Sequence, residues 1–333
     1  MKTGTCTVEV LRGEVVESQH RVHVAVAHAD QGLIASAGNP AHISFVRSSI
    51  KMFQALPFVE SGGVDHFALS GEELALCTAS HGGELFHVSA ARSILAKASL
   101  DEAALACGPH PPMHGPSADA LRASGLWPSR LHNNCSGKHG GMLAYSALMG
   151  WPTDGYHRAP HPVQQRIVAT VATWMGIEQD DVEQGIDGCG LPTFALPLDA
   201  VAEGCARFAA AAADGQPAPA RIFAAMMTHP EFVAGTDRLD TDLIRTAQGR
   251  LFSKVGAEGF YCVGIPSTRT GIALKVEDGA LRAAEPALLA ILHAIDAISA
   301  SDLETLARYA RPRIVNTRGE LVGHIRAAVS LGS

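Results

Sequence analysis

The stretch SFVRSSIKMFQALPFVES, residues 44–61, decides how the rest of the chain is interpreted. Its aromatic and aliphatic residues recur at helical spacing, so we expect a helix that opens near Ser44 and carries one apolar stripe. Ser48 and Lys51 form the pattern S-x-x-K, and positions i and i+3 share a helix face, so the two side chains can meet. A lysine whose pKa is lowered by burial can activate a serine hydroxyl as a nucleophile. By itself, the pattern also suits a helix cap followed by a surface lysine.

The segments on either side of this stretch predict the fold class. Residues 5–37 show β-branched alternation broken by short Gly-containing turns, which is typical of antiparallel strands. Helical patterns dominate the middle of the chain, with polar, Gly-rich loops at 132–141 and 185–192. Residues 259–279 return to strand before a closing helix. We therefore expect one α/β (α+β) domain over 1–333, with an antiparallel sheet from about 1–40 and 250–333 and a mainly helical subdomain at about 60–240.

Composition excludes several classes of function. The net charge is −7, and no run of Lys or Arg forms the basic surface that nucleic acid needs. No unbroken apolar stretch reaches the length of a membrane span, and the N-terminus runs into strand-like sequence without a secretion signal. The seven cysteines therefore predict free thiols rather than a disulfide framework. We expect a cytoplasmic protein that binds neither nucleic acid nor membrane.

Two further motifs carry a serine or a lysine beside glycines. In CTASHGG, residues 77–83, the Gly pair permits close backbone approach, so Ser80 is a candidate for proton relay or substrate binding. The same residues are equally consistent with a helix that ends at the glycines. In LFSKVGAEG, residues 251–259, Lys254 could serve Ser80 as Lys51 serves Ser48, although a solvated lysine fits the local pattern too.

Two loops each present a cysteine among small residues. They are NNCSGKHGG, residues 133–141, and IDGCG, residues 186–190. The Gly-Lys in the first loop lacks the remaining residues of a phosphate-binding loop. Two thiolates with a third ligand could hold zinc with one open position, and His139 and Asp187 are further ligand or supporting candidates by residue type. Buried, inert thiols remain the alternative.

Six segments resemble, in the same order, motifs of the rhizobial-type (class 3) L-asparaginase family: SFVRSSIKMFQ, CTASHGGE, HNNCSGKHGGML, DGCGLPTFALPL, THPEFVAG and SKVGAEGFYCVG. The match covers nearly the whole chain. The resemblance implies a serine β-lactamase/transpeptidase-like fold, a homodimer, and hydrolysis of L-asparagine to L-aspartate and ammonia.

The resemblance also assigns roles to individual residues. The expected catalytic residues are Ser48, Lys51, Ser80 and Lys254. The expected Zn²⁺ ligands are Cys135, Lys138 and Cys189, with the metal auxiliary to the chemistry. The expected substrate-binding residues are Arg47, whose guanidinium can bind a carboxylate bidentately, and His81, Gly82, Asn133 and Asp187.

The chain departs from related patterns in two places. Some family members have a cysteine before Thr-Asp-Leu, where this chain has Asp240, so a role for that thiol near the metal has no counterpart here. The S-D-N motif of β-lactamases is missing, and the nearest match to K-T-G is Arg269-Thr270-Gly271. The alternatives are a penicillin-recognising serine hydrolase and a non-enzymatic zinc-binding scaffold.

Overall fold

The computed structural model describes residues 4–332 and divides the chain into two compact units. Of the described residues, the sheet unit comprises 4–49, 196–213 and 242–332, and the helical unit comprises 50–195 and 214–241. The antiparallel sheet and the helices confirm an α+β architecture.

The sheet unit is built from strands at both ends of the chain. Its strands are β1 Thr5–Arg12, β2 Val15–His28, β3 Gly32–Ala37, β4 Ile43–Phe45, β7 Phe252–Gly256, β8 Phe260–Ile265, β9 Thr270–Val276, β10 Arg313–Val315 and β11 Leu321–Ser330. The main sheet has the order β10-β11-β1-β2-β9-β8-β7, and β3 also pairs with β2. The first half of β2 pairs with β1, and the second half pairs with β3 and β9. The long strand β2 thus joins the N-terminal and C-terminal strands into one sheet.

Helices cover the sheet and bury its apolar residues. They are α8 Leu198–Ala213, α12 Leu281–Ala294, α13 Ala300–Thr305 and α14 Ala307–Ala310. Helix α8 packs on β2, β8 and β9, and it approaches so closely that a Cβ on Gly271 would lie 2.1 Å from the Ala202 carbonyl oxygen. Sequence analysis predicted this segment in the helical subdomain. It packs on the sheet because its face of Ala and Cys residues permits that approach.

The helical unit contains most of the remaining helices. They are α1 Lys51–Glu60, α2 Gly63–His66, α3 Gly71–Cys77, α4 Leu85–Lys97, α5 Gly115–Ala123, α6 Ser136–Leu148, α7 Pro162–Met175, α9 Pro217–Thr228 and α10 Pro230–Val233. Strand β5, Glu183–Ile186, pairs with β6, Pro192–Pro197, as an antiparallel hairpin. Helix α11, Leu239–Thr246, begins at the end of this unit and continues into the sheet unit.

Two local predictions differ from the structure. The helix expected to open near Ser44 begins instead at Lys51, after β4 and a 3₁₀ turn over Arg47–Ile50, because Arg47 has a φ of +52° that no α-helix continues through. The loop expected at 132–141 becomes helical at Ser136. Its glycines are packing positions, since a Cβ on Gly137 would lie 2.4 Å from the Leu76 carbonyl oxygen.

Within the described range, no helix has the length and hydrophobicity needed to cross a membrane.

Candidate active site

Lys51 connects α1 with the loop that follows α3 in the helical unit. Its side chain is fully buried, and Nζ donates to the Ser80 hydroxyl oxygen over 3.0 Å, to the Cys135 sulfur over 3.2 Å and to the Ala79 carbonyl oxygen. Burial lowers the pKa of Lys51, and the Cys135 sulfur only partly offsets this effect. A buried amine that touches a serine hydroxyl has the arrangement of a general base or proton relay.

The backbone N–H groups of the loop Ser80–Gly83 anchor it to neighbouring segments. The N–H of Ser80 donates to the Val233 carbonyl oxygen over 3.0 Å, and the N–H of His81 donates to the Asn134 carbonyl oxygen over 3.1 Å. Gly83 has a φ of +74° and no room for a side chain, because a Cβ would lie 3.0 Å from Pro112 Cα. The glycine predicted to allow close backbone approach therefore occupies a position where only glycine fits.

Gly82 differs from the other residues of this loop. The Gly83 N–H donates to His81 Nδ1 over 3.1 Å, so with Ser80 and His81 three of the four loop N–H groups have protein acceptors. Gly82 is a buried residue, and among residues 4–332 its N–H has none. Buried backbone donors are rarely left unpaired, so this N–H is a candidate donor to a substrate oxygen.

His81 was predicted to bind substrate, and the structure shows what its ring contacts. The ring is fully buried, Nδ1 accepts from the Gly83 N–H, and Nε2 lies 2.9 Å from Ser136 Oγ. Because Nδ1 is an acceptor, the neutral ring donates from Nε2. Burial lowers the pKa of His81 well below its ordinary value, in agreement with a neutral ring. Both ring nitrogens thus contact protein groups that fix the loop to α6.

Cys135 and Cys189 come together beside two lysines. Their sulfur atoms are in hydrogen-bonding contact, and Lys138 Nζ lies 3.4 Å from Cys189 Sγ. The hydrogen bond from Cys189 lowers the pKa of Cys135, and the Lys51 and Lys138 ammonium groups lower it further. The contact between the two sulfurs and the neighbouring lysines therefore favour a pair that holds one proton between its two thiols.

Lys138 is the second buried cation of this cluster. Burial alone would favour its neutral form, but the Cys189 and Cys135 sulfurs and the Asp187 carboxylate together raise the pKa of Lys138. The nearby sulfurs and the Asp187 carboxylate thus favour the charged form of Lys138 in this buried cluster. No group of three or more His, Cys, Asp or Glu side chains is arranged as a metal site within the described chain. The Cys135 and Cys189 sulfurs and the Lys138 nitrogen lie close together, and Lys138 is not one of these residue types.

Asn133 and Asp187 shape the two loops that carry these cysteines. The Asn133 side chain accepts from the Cys135 N–H over 2.9 Å and donates to the Gly108 carbonyl oxygen over 2.7 Å. The backbone N–H of Asp187 donates to the Leu191 carbonyl oxygen over 2.8 Å and closes the turn that carries Cys189. Asp187 is half-buried.

The sheet unit contains the other predicted site residues. Arg47 and Ser48 lie in the 3₁₀ turn Arg47–Ile50 and are half-buried, whereas Ser49 is buried and donates its hydroxyl to the Val46 carbonyl oxygen over 2.7 Å. Lys254 is fully buried on β7, and its Nζ donates to the Val255 carbonyl oxygen over 3.0 Å.

Sequence analysis missed three residues that surround the Ser80 loop. Glu84 is buried just after the Gly pair, and His87 lies one turn later on α4. Ser136, at the start of α6, contacts His81. Glu84 and Ser136 lie inside two of the segments that resemble the family, and His87 follows the first of them, so this placement was the available signal.

A comparison with known families identifies the family of the chain. The family described as L-asparaginase II matches residues 8–327. The chain belongs to the L-asparaginase II family. It is therefore an L-asparaginase amidohydrolase, with asparagine as its substrate. A search of curated proteins found no match. Membership in this family confirms the predicted rhizobial-type resemblance, and it favours neither the penicillin-recognising hydrolase nor the scaffold.

Proposed function

We propose that this L-asparaginase II family member hydrolyses L-asparagine by acyl transfer to Ser48. The observation that carries the proposal is the buried Lys51 amine in contact with the Ser80 hydroxyl. Lys51 follows Ser48 by three residues, with the 3₁₀ turn leading directly into α1, and this connectivity supports a role for Lys51 as the base for Ser48.

The first half of the reaction forms an aspartyl ester. Neutral Lys51 takes the hydroxyl proton of Ser48 as Oγ attacks the side-chain amide carbon. The tetrahedral oxyanion accepts hydrogen bonds from backbone N–H groups, of which Gly82 is our candidate in the helical unit. The C–N bond breaks, and the nitrogen leaves as ammonia after it takes the proton from Lys51. Ser80 and Lys254 relay protons or orient the amide.

The second half of the reaction releases aspartate. Water enters where ammonia left and gives a proton to Lys51 as its oxygen attacks the ester carbon. The ester bond breaks, and Ser48 regains its proton. Arg47 is our candidate partner for the substrate's α-carboxylate, because a guanidinium binds a carboxylate through two parallel hydrogen bonds.

The proposed zinc ligands are Cys135, Cys189 and Lys138. Their donor chemistry fits, because two sulfurs and one amine nitrogen converge, and Cys135 already has thiolate character. A bound Zn²⁺ would supply a Lewis-acidic contact for the substrate's amino or carboxylate end and would brace the loops at 135 and 189. Ser48 and Lys51 supply the nucleophile and base without it, which is why we propose an auxiliary metal.

The same proposal includes a serine β-lactamase-like arrangement and a cytoplasmic homodimer. The antiparallel sheet from both chain ends and the S-x-x-K turn support the fold relationship. The free thiols of all seven cysteines support a reducing compartment. The dimer rests on the family resemblance.

The deciding experiment measures ammonia and aspartate released from L-asparagine, with L-glutamine and the chromogenic β-lactam nitrocefin as parallel substrates. We expect equal amounts of ammonia and aspartate, and a covalent aspartyl adduct on Ser48 after acid quench of the wild-type enzyme. An adduct on another residue would contradict the Ser48 mechanism. Nitrocefin turnover without ammonia release would favour the penicillin-recognising alternative.

A further inference from the structure

Glu84 occupies a buried position at the end of the Ser80 loop. It is the N-cap residue of α4, yet its side chain reaches across to the segment that follows α10. Oε1 accepts from the Thr236 backbone N–H over 2.8 Å, and Oε2 accepts from the Thr236 hydroxyl over 2.7 Å. A carboxylate that accepts two hydrogen bonds from one residue fixes both distance and orientation.

The backbone beside Thr236 is shaped around this carboxylate. Gly235 has a φ of +116°, a conformation that L side chains rarely adopt. A Cβ at Gly235 would lie 2.7 Å from Glu84 Oε1 and 3.3 Å from the Gly82 nitrogen. Thr241 Oγ1 donates to the Gly235 carbonyl oxygen over 2.7 Å and holds this turn in place. The glycine therefore lets the segment lie directly against Glu84 and the backbone of Gly82.

The same segment also contacts this region through its backbone carbonyl oxygens. The Ser80 N–H donates to the Val233 carbonyl oxygen, and His87 Nε2 lies 2.9 Å from the Glu231 carbonyl oxygen. Contacts from residues 80, 84 and 87 thus meet one short stretch, residues 231–236. Among these three contacts, only the Glu84–Thr236 contact has a side chain on both partners.

We propose that Glu84 is a positioning residue that holds the Ser80 loop through Thr236, so that Ser80 Oγ stays in reach of Lys51 Nζ. The inference rests on the proposed function for its effect on catalysis. Glu84 touches neither Lys51 nor the Ser80 hydroxyl in the structure, so it acts through the backbone of the loop. Because the contact is made before substrate binds, its loss should reduce kcat more than it raises KM.

The experiment combines Glu84→Gln, Thr236→Val and the double variant, with Thr236→Ser as the conservative replacement. We expect each single variant to lower kcat about tenfold or more with a smaller change in KM, since misplaced catalytic groups cost rate steeply. The double variant should lose less kcat than the product of the two single losses, because both changes affect the one contact between Glu84 and the Thr236 hydroxyl. Thr236→Ser keeps the hydroxyl and should retain wild-type kcat within about twofold.

Glu73→Gln provides the matched control. Glu73 is another buried glutamate of the helical unit, where it accepts from the Ser70 N–H and pairs with Lys97 over 2.6 Å. Its loss should lower Tm without lowering kcat. If Glu73→Gln lowers kcat as much as Glu84→Gln at equal loss of Tm, or if Thr236→Ser is as slow as Thr236→Val, Glu84 has only a structural role and the inference is wrong.

Amide hydrogen exchange separates this inference from the proposed function. The Ser80 N–H should exchange faster in Glu84→Gln than in the wild-type protein, and Glu73→Gln should leave it unchanged. If the wild-type protein releases no ammonia from asparagine, the proposed function fails, and the exchange rate alone decides whether Glu84 holds the loop. Unchanged exchange at Ser80 in Glu84→Gln would overturn the inference whatever the activity.

Discussion

Lys51 Nζ and Ser80 Oγ lie 3.0 Å apart although 29 positions separate the residues in the chain. The first residue of α1 thereby meets the loop after α3, and the same amine also contacts Cys135. One buried lysine thus touches both the predicted proton relay and the predicted metal ligand set. Substitutions at Lys51 should affect the chemistry, whereas substitutions at the cysteines should affect it only indirectly.

Ser48→Ala should abolish turnover while the protein stays folded. We expect kcat to fall by several orders of magnitude, because no neighbouring group replaces the nucleophilic oxygen. The measurement is ammonia release with a folding check by thermal melting. Ser49→Ala is the matched control, since the Ser49 hydroxyl is donated to the Val46 carbonyl oxygen and its loss should cost about 1 kcal/mol of stability. Retention of about a tenth of wild-type kcat by Ser48→Ala, a barrier change of only about 1.4 kcal/mol, would contradict the assignment and point to Ser80.

Lys51→Arg should be nearly as inactive as Lys51→Ala. A guanidinium keeps its proton throughout the pH range of the assay, so it cannot take the proton of a serine hydroxyl. Lys97→Arg is the control, because Lys97 pairs with Glu73 and needs only its charge. The comparison of kcat for the three variants is the measurement. An active Lys51→Arg enzyme would show that the position requires a positive charge rather than a base.

Arg47 should have separable effects on stability and on substrate affinity. Its φ of +52° is strained for a residue with a Cβ, so Arg47→Gly should be more stable than Arg47→Ala by about 1 kcal/mol. Both variants lose the guanidinium and should show the same rise in KM. Urea unfolding and steady-state kinetics on the two proteins provide the test. Equal stability of the two variants would mean that the turn does not strain the backbone, and an unchanged KM would remove Arg47 from the substrate site.

The sheet and the helical middle could be predicted because they depend on local periodicity. The start of α1 could not be predicted, because it depends on the left-handed backbone conformation of Arg47. Arginine as a residue type does not indicate such a conformation. Cys135, Lys138 and Cys189 were grouped by resemblance, and the structure brings them together, while their role as ligands stays a prediction. Glu84 was missed because its importance comes from Thr236, a distant residue in sequence. Long-range contacts of this kind leave no periodic trace in either segment.

Cys135→Ala should chiefly raise KM and lower kcat less. The proposed metal would contact the substrate's charged end, and loss of ground-state binding appears in KM. The measurement is steady-state kinetics on metal-free and zinc-reloaded protein, with zinc content determined for each sample. Cys77→Ala is the control, because Cys77 is buried in the same unit and burial raises its pKa to about 12, so it stays a thiol. A collapse of kcat at unchanged KM on zinc removal would make the metal a direct participant.

The His87 ring should make the fold sensitive to acid. Burial lowers the pKa of His87 to about 4, although the Glu231 carbonyl oxygen and the Glu84 and Glu231 carboxylates favour the charged ring, and His114 opposes it. The ring also stacks on the neutral His81 ring, with 4.8 Å between the two centroids. An unfolded histidine titrates near pH 6.5, so between that pH and about pH 4 the unfolded chain binds more protons than the folded one.

The sign of the effect follows from this difference in pKa. The neutral His87 ring contributes fully to the free energy of unfolding above pH 6.5. This contribution is lost as the pH falls towards 4, by about 2 kcal/mol between pH 7.5 and pH 5. The measurement is the free energy of unfolding in urea at both pH values for the wild-type protein and for His87→Gln, which has no titrating ring. Other groups contribute equally to both proteins, so the wild-type protein should lose about 2 kcal/mol more than the variant. An equal loss in the two proteins would show that the His87 ring is protonated in the folded state.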